Sequence, residues 1–453
     1  MIDDPESLKS IIEDLNNKHK PELAHKLLEY YYTRCETLGD YDTIGYLALK
    51  LSYTNISLKA AESAYSVAEK PHEIYAARSN LQKAYYAANY PEKSIFYTKL
   101  NLEMYPDDFV SRTSLIAAMK QNGQRKEAEK LTDDLIKEGL SDKEKRDIRS
   151  MHSHKILRSG KTGKGIDYFL GTKYKRDKPT SFHLMGMKRW DGVPMKGKNL
   201  YLYNGGGYGD EFINIRFMEH VKELGMNPIL YSNLKRDDSL EIFARCGYNV
   251  TTRLDDIDKT APHTELMTLP VDLNLTEKDL WRGPYIKPLN QKKNKLKSKK
   301  FKIGIKCNGN PFFAQDVFRS IPIEQMLSVI PEEAEVYYFD LDKEHPKTIG
   351  MKDRINNWDD TLDYISQMDV IFSSCTSLVH ASGAMGVPTI VCTPILEYYI
   401  WTSSRTDNST PWYGDNFWVI KQTKVRDWKE PLENAGKLIR NLMNENRRDN
   451  KNA

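Results

Sequence analysis

Two short stretches of this sequence concentrate residue types suited to anionic ligands and to proton transfer. The first is Asn204-Gly-Gly-Gly-Tyr-Gly-Asp210. It runs from a short apolar strand, Leu200–Tyr203, into a helical segment over Asp210–Leu224. There Phe212, Ile215, Phe217, Val221 and Leu224 form a broad apolar stripe. Its glycines permit a tight turn and let backbone amides approach a ligand, which makes Asn204, Gly207 and Gly209 candidate loop residues. Their positions, 205, 206, 207 and 209, do not fit the Gly-x-Gly-x-x-Gly spacing of a dinucleotide site. Asp210 reads either as a helix N-cap or as a general base at a cleft.

The second stretch is Ser373-Ser-Cys-Thr-Ser-Leu-Val-His-Ala-Ser-Gly-Ala-Met-Gly-Val-Pro388. A strand ends in small hydroxyl residues and a helix begins at once, so free amides and hydroxyls at Thr376 and Ser377 make a seat for a phosphate or diphosphate. His380, one turn into that helix, either faces the same ligand or is a hydrogen-bonded core histidine. Cys375 reads as a small buried residue rather than as a nucleophile.

The elements that must position these stretches alternate strand with helix, which implies parallel sheets. Pro228–Tyr231 is a strand and Leu240–Cys246 a helix. A second alternating series begins at Phe301–Lys306. It continues through helix Ile323–Val329, strand Glu335–Phe339, helix Thr361–Met368, strand Val370–Phe372, helix Ser377–Met385 and strand Thr389–Cys392. Two such lobes put a cleft at the carboxyl ends of their strands, where ligands bind in open parallel sheets. A last helix, from about Lys429 to Asn444, is long enough to pack back across the lobes.

Residues 1–170 are different in kind. Leu47, Leu81 and Leu115 are 34 residues apart, and the same period carries Leu51, Tyr85 and Met119. It also carries Asn55, Asn89 and Gly123, and then Ala60, Ser94 and Ala128. Large apolar, turn and small residues in one phase resemble the tetratricopeptide pattern of paired antiparallel helices. A looser fourth unit places Gly160, Gly165 and Phe169 at the turn, small and apolar positions. Such repeats serve either as a docking surface for a protein partner or as a structural extension.

The reading divides the chain into repeats at 1–170 and a linker at 171–197. A first lobe at 198–290 and a basic interlobe linker at 291–300 follow. A second lobe at 301–425 and a C-terminal helix and tail at 426–453 complete it. Gln291–Lys302 holds seven lysines in twelve residues, which reads as a solvated linker or as a phosphate-attracting run.

At 453 residues, two or three folded units are expected. Hydrophobic residues at 40% and charged residues at 29% suit a globular chain rather than a disordered one. No apolar run approaches the roughly 18 residues of a membrane span. The acidic start lacks the order of a signal peptide. Five widely spaced cysteines exclude a disulfide framework and a Cys-x-x-Cys zinc site and favour a reducing compartment. A net charge of +4 is too small to mark a nucleic-acid binder. The composition therefore predicts a soluble, cytoplasmic, multidomain protein.

Four blocks in order over roughly residues 185–425 resemble the heptosyltransferase-like glycosyltransferases of the GT-B fold, in the variety preceded by tetratricopeptide repeats. They are Arg189-Trp-Asp-Gly-Val-Pro-Met-Lys-Gly-Lys198, Gly207-Tyr-Gly-Asp210, Gly304–Pro311 with Phe318-Arg-Ser-Ile-Pro322, and Thr376–Pro388; Pro411-Trp-Tyr413 also falls where that family has a similar tripeptide. The resemblance implies an α plus α/β protein: N-terminal tetratricopeptide-like helical repeats followed by a GT-B fold of two Rossmann-like lobes.

It further implies an inverting glycosyltransferase that moves a sugar from a nucleotide-sugar donor to an acceptor hydroxyl. Asp210 would be the base, with Asn204, Gly207 and Gly209 on the acceptor side. Arg319, Thr376, Ser377 and His380 would face the donor phosphates, and Lys306 and Asn310 would lie on the donor-facing strand end and loop. No cofactor and no metal are expected. The acceptor would be a glycan, a protein side chain or a modified DNA base, the last reached by extruding the base from the duplex.

Three features depart from the family pattern. Cys375 stands where an aspartate is usual, Glu397-Tyr-Tyr-Ile-Trp401 lacks an arginine, and the glycine turn opens on Asn204-Gly-Gly-Gly. They sustain a rival reading, a catalytically inactive repeat-containing scaffold on a transferase fold.

Overall fold

The computed structural model describes residues 5–17, 20–171, 186–232, 237–310, 313 and 315–452. The chain divides into two compact units. One is Met1–Glu144 with Asn310–Phe318 and Lys424–Arg426; the other is Lys145–Gly309, Arg319–Thr423 and Asp427–Ala453.

The first unit is built of helices. They are α1 (Pro5–Asn17), α2 (Pro21–Tyr32), α3 (Leu38–Lys50), α4 (Thr54–Val67), α5 (Pro71–Ala87), α6 (Pro91–Met104), α7 (Phe109–Gln121) and α8 (Arg125–Lys137). Proline opens α2, α5 and α6, where its missing N–H costs nothing. The turns inside the helix pairs α3–α4, α5–α6 and α7–α8 each hold a left-handed residue. These are Ser52 (φ 67°), Asn89 (φ 64°) and Gly123 (φ 79°).

Asn55, expected as the first of these turn residues, is instead inside α4. The 34-residue phase holds between Asn89 and Gly123 but slips at Ser52, because α5, between Ser52 and Asn89, is 17 residues long and α7, between Asn89 and Gly123, only 13. The small positions Ala60, Ser94 and Ala128 are all buried, as close helix contact requires. Leu115 is only half-buried, and its neighbour Ile116 takes the core position.

The second unit begins within α9 (Asp142–Leu157) and includes α10 (Thr162–Leu170). The helical pair read from sequence as a fourth repeat therefore belongs with the sheets. Gly163 shows why it is held there: a Cβ would lie 2.4 Å from the Pro270 carbonyl oxygen, and its N–H donates to Leu275.

The first lobe is a four-stranded parallel sheet in the order β3-β2-β1-β4, formed by β1 (Asn199–Tyr203), β2 (Asn227–Tyr231), β3 (Val250–Thr251) and β4 (His263–Glu265). Strand β1 is followed by α11 (Tyr208–Asn214), and β2 precedes α12 (Asp237–Arg245). The single helix expected over Asp210–Leu224 is interrupted by a 3₁₀ turn at Ile215–Phe217. Side chains compete there for helical carbonyls: Asn214 Nδ2 donates to Asp210 and Arg216 Nε to Ile213. The expected linker is also partly structural, since Trp190 is buried and Arg189 bridges His263 beside β4.

The second lobe is a six-stranded parallel sheet in the order β10-β9-β8-β5-β6-β7. Its strands are β5 (Lys302–Lys306), β6 (Glu335–Tyr338), β7 (Ile349–Gly350), β8 (Val370–Ser374), β9 (Thr389–Thr393) and β10 (Phe417–Lys421). Helix α13 (Trp358–Ile365) precedes β8, and α14 (Ser377–Met385) joins β8 to β9.

The last helix, α15 (Lys429–Asn452), is longer than expected. It does not cross the lobes but lays Leu432, Ala435, Ile439 and Met443 on the second sheet, against Ile303, Ile305 and Ile390. A larger core runs through both lobes, from Leu200 and Phe212 to Ile371 and Trp401.

The basic run is tied to α13. Asn294 is buried and donates to Asp360 and Asp363, and Lys293 pairs with Asp360 at 3.0 Å. All five cysteines are free thiols. No helix among the described residues is long and apolar enough to cross a membrane.

Candidate functional site

Strand order locates the site. The first sheet reverses direction of growth between β1 and β4 and the second between β5 and β8, and ligands bind beyond the carboxyl ends of strands at such switch points. The glycine turn leaves β1 at the first, and the Cys375–Thr376 turn leaves β8 at the second.

In the glycine turn, Asn204 works as a brace. Its Oδ1 accepts the Gly206 N–H (3.0 Å), while its Nδ2 donates to the Gly206 carbonyl (3.2 Å) and to Glu211 (2.9 Å). Asp210, inside the first turn of α11, folds back so that Oδ2 accepts the Gly207 N–H at 2.8 Å. The N-cap position itself belongs to Gly207, so Asp210 is not the N-cap read from sequence but the third helical residue, whose carboxylate reaches back to the N-cap amide and is thereby aimed over the turn. A Cβ at Gly206 would lie 2.4 Å from Asp210 Oδ2, so only glycine leaves room for it.

In the second turn, Thr376 precedes α14 without capping it by its side chain, leaving the first-turn amides of the helix to another acceptor. Arg319 donates to the Cys375 carbonyl at 2.7 Å, which brings its guanidinium to the same turn. The Cys375 thiol accepts from Trp401 Nε1 at 2.9 Å, and burial raises its pKa, so it stays protonated. Cys375 thus has a structural use here, in keeping with the sequence reading of a small buried residue.

His380 is enclosed. It shares a 2.9 Å hydrogen bond between Nδ1 and the Tyr413 hydroxyl, and stacks on Trp401 with ring centroids 5.4 Å apart. Burial, with the charges of Arg216 and Arg319 adding to it, depresses its pKa to about 3. At neutral pH it carries no charge to offer a diphosphate.

The two turns meet. A Cβ at Gly209 would lie 3.0 Å from His380 Cδ2 and 3.4 Å from Ser377 Cα, so α11 and α14 are in contact at their first turns. Arg216 holds the arrangement from behind. Its guanidinium donates to the carbonyls of Leu280 (3.1 Å) and Trp412 (2.6 Å) and lies over the rings of Tyr285 and Tyr413. The Pro411–Tyr413 tripeptide is therefore a bolt between lobes, with Trp412 and Tyr413 both buried.

Of the remaining candidates, Lys306 ends β5 and pairs with Asp340 at 2.7 Å; Asp340 also accepts the Cys307 N–H at 2.8 Å. Asn310 is exposed and groups with the first unit. Sequence reading brought out neither Asp340 nor Glu265. Glu265 ends β4 and Asp340 lies two residues beyond β6, and β4, at three residues, is too short to show a period.

Among the described residues, no group of three or more His, Cys, Asp or Glu side chains is placed to hold a metal ion. Helical repeats followed by two parallel-sheet lobes joined at their switch points make the GT-B arrangement with an N-terminal repeat unit.

No protein-family model matches the sequence, and no curated protein sequence matches it. Solved structures do show likeness. A mutant O-GlcNAc transferase of Thermobaculum terrenum matches at 12% identity over 98% of this chain and 92% of that one, with a TM-score of 0.41. The iron-containing dodecameric glycosyltransferase TibC from enterotoxigenic E. coli matches at 11% identity over 58% and 77%, with a TM-score of 0.36. The E. coli ADP-heptose LPS heptosyltransferase II matches at 10% identity over 56% and 100%, with a TM-score of 0.33.

Proposed function

We propose that the chain is an inverting glycosyltransferase that uses a nucleotide-sugar donor, with Asp210 as its base. The observation that carries this reading is the contact of Gly209 with Ser377 and His380. It brings the start of α11, with its carboxylate, against the start of α14, with its uncapped amides and Arg319.

Each part then has one task. The α14 amides, Thr376, Ser377 and Arg319 hold the donor diphosphate and meet the charge that grows on it as it leaves. Asp210 takes the proton of the acceptor hydroxyl as its oxygen bonds to the anomeric carbon; the bond from that carbon to the phosphate oxygen breaks, and its electron pair leaves with the nucleotide diphosphate. Lys306, neutralised by Asp340, shapes the rim of the donor side rather than supplying a free cation.

The test is calorimetric titration of the full chain with UDP-, GDP-, ADP- and CMP-linked sugars, beside turnover. Asp210→Asn keeps an oxygen for the Gly207 N–H and loses the base. It should bind the donor as wild type does and lose about 10²–10⁴-fold in turnover. Asp210→Ala should show the same loss, with about 1 kcal/mol of stability lost as the bond to the Gly207 N–H goes. Failure of the wild type to bind any donor would favour the scaffold reading.

A further inference from the structure

The lysine run leads into β5 from the end of the second sheet that is opposite the candidate site. Lys302 opens β5, and its N–H donates to Asp369, the residue before β8, at 2.7 Å. Lys306 and Ser374 close the same two strands at their carboxyl ends, roughly 15 Å further on.

The backbone of the run is pinned. The Asn290 and Gln291 N–H groups donate to Asp363 at 2.6 and 2.9 Å, and the Leu296 N–H to Gln367 at 2.8 Å. Lys295 leaves the 3₁₀ turn at Lys292–Asn294 in extended backbone, with φ −69° and ψ 123°, and exposure then alternates. Lys295, Lys297 and Lys299 are exposed, whereas Leu296 packs on the larger core and Phe301 on the core beneath α15.

Of the seven lysines, two are in ion pairs among the described residues, Lys293 with Asp360 and Lys302 with Asp369. Glu335, which opens β6, feels the charges of Lys300 and Lys302. Asn446 of α15 donates to Asp369 at 3.2 Å and so brings Arg447 and Arg448, both exposed, to the same edge; Arg447 meets Glu333 there. The whole-chain charge of +4 conceals this face, because no acidic residue interrupts residues 291–302.

We propose that this face binds the phosphodiester backbone of a nucleic-acid strand, by charge and without reading sequence. Lysines two residues apart on an extended chain project in one direction about 7 Å apart, a line of charge suited to a linear polyanion. Ammonium groups meet phosphates as point charges, and release of the strand's counterions supplies the affinity. An acidic peptide adds as a strand only where backbone N–H groups are open, and those of Gln291, Leu296 and Lys302 are engaged. A lipid surface takes up apolar side chains, and Leu296 and Phe301 are turned inward. Such binding is separate from glycosyl transfer and does not depend on it.

The experiment titrates the full chain into a fluorescein-labelled oligodeoxythymidylate of about 20 nucleotides, read by anisotropy between about 50 and 200 mM salt. The wild type should bind, and its affinity should fall steeply as salt rises. The triple variant Lys295→Gln, Lys297→Gln, Lys299→Gln should bind about tenfold or more weakly at low salt, with the log–log salt slope reduced by about 2. The triple exchange of the same lysines for arginine keeps the charge and should bind much as the wild type does. A mixed-sequence strand should bind as the homopolymer does.

No binding at low salt, or equal affinity and slope in the wild type and the glutamine variant, overturns the proposal. Loss of binding in the arginine variant as well overturns the charge reading, and a strong preference for one sequence overturns backbone recognition. Tighter binding to polyglutamate, or to vesicles of equal phosphatidylglycerol and phosphatidylcholine, overturns the nucleic-acid class.

Discussion

Gly209 of α11 lies against His380 of α14, with 3.0 Å between the histidine Cδ2 and the place where a Cβ at 209 would be. His380 has little room to give way, because Tyr413 bonds its Nδ1 and Trp401 stacks on its ring. A residue in the first turn of one helix thus limits how the first turn of the other is placed.

Gly209→Ala sets two effects against each other. Alanine gains up to about 1 kcal/mol of helix propensity over glycine. Overpacking against a held ring costs about 1–3 kcal/mol. The clash should win, so Tm falls and donor titration weakens as the α14 turn is displaced. A variant with raised Tm and unchanged donor affinity would show that the two helices are not locked at this point.

His380 makes a prediction about pH. Its folded pKa of about 3 lies below the ordinary 6.5, so between these values the unfolded chain binds the extra proton and the folded chain does not. The contribution of this group is complete above about pH 6.5 and is lost as pH falls towards 3. Tm measured from pH 4 to pH 8 should therefore drop on the acid side, and His380→Gln, which has nothing to protonate, should drop less. Arg216 and Arg319 are the cations that oppose protonation here, so adding salt should change the difference little in so buried a site. Equal acid slopes for the two proteins would place the ring in contact with solvent.

How far the fold could be read in advance depended on the strength of local signals. Helix α14 begins at Ser377 and ends at Met385, as expected, because a Thr376 turn opens it and Gly386, at φ 74°, closes it. The 34-residue period puts the first repeat turn at Asn55 rather than at Ser52, since a constant period cannot register the added turn of α5. Glu265 left no trace in the sequence: its closeness to Gly205, where a Cβ would lie 2.5 Å from its Oε1, exists only through the register of β4 on β1. The enclosed state of His380 depends likewise on Tyr413, 33 residues away, and on Trp401.

Asp340 carries a structural prediction for the second lobe. It is 3% exposed and accepts both from Lys306 Nζ and from the Cys307 N–H, so it ties the end of β5 to the end of β6. Asp340→Asn keeps an acceptor for the amide and loses the ion pair, whereas Asp340→Ala loses both. Lys306 is partly exposed and can turn towards water, which reduces the cost of stranding it. The alanine change should cost about 2–4 kcal/mol and the asparagine change clearly less, measured by urea unfolding. Equal losses would mean that the amide bond contributes nothing.

Arg319 is the sharpest probe of the proposed donor site, because its guanidinium is brought to the α14 turn by its bond to the Cys375 carbonyl. The guanidinium thus stands beside the first-turn amides of α14, whereas the Lys306 ammonium is turned to Asp340. Arg319→Met should therefore weaken binding of whichever of UDP, GDP or ADP the wild type prefers by about tenfold or more. Arg319→Lys should recover only part of that loss, since an ammonium lacks the planar fork that meets two phosphate oxygens at once. The parent nucleoside, which has no phosphate, should bind all three proteins alike. Losing nucleoside and diphosphate affinity together would show that Arg319 supports the fold of the turn and not the anion. Structure and charge separate in this comparison because the Cys375 carbonyl loses one hydrogen bond in the methionine variant, worth about 1 kcal/mol of stability, whatever ligand is present.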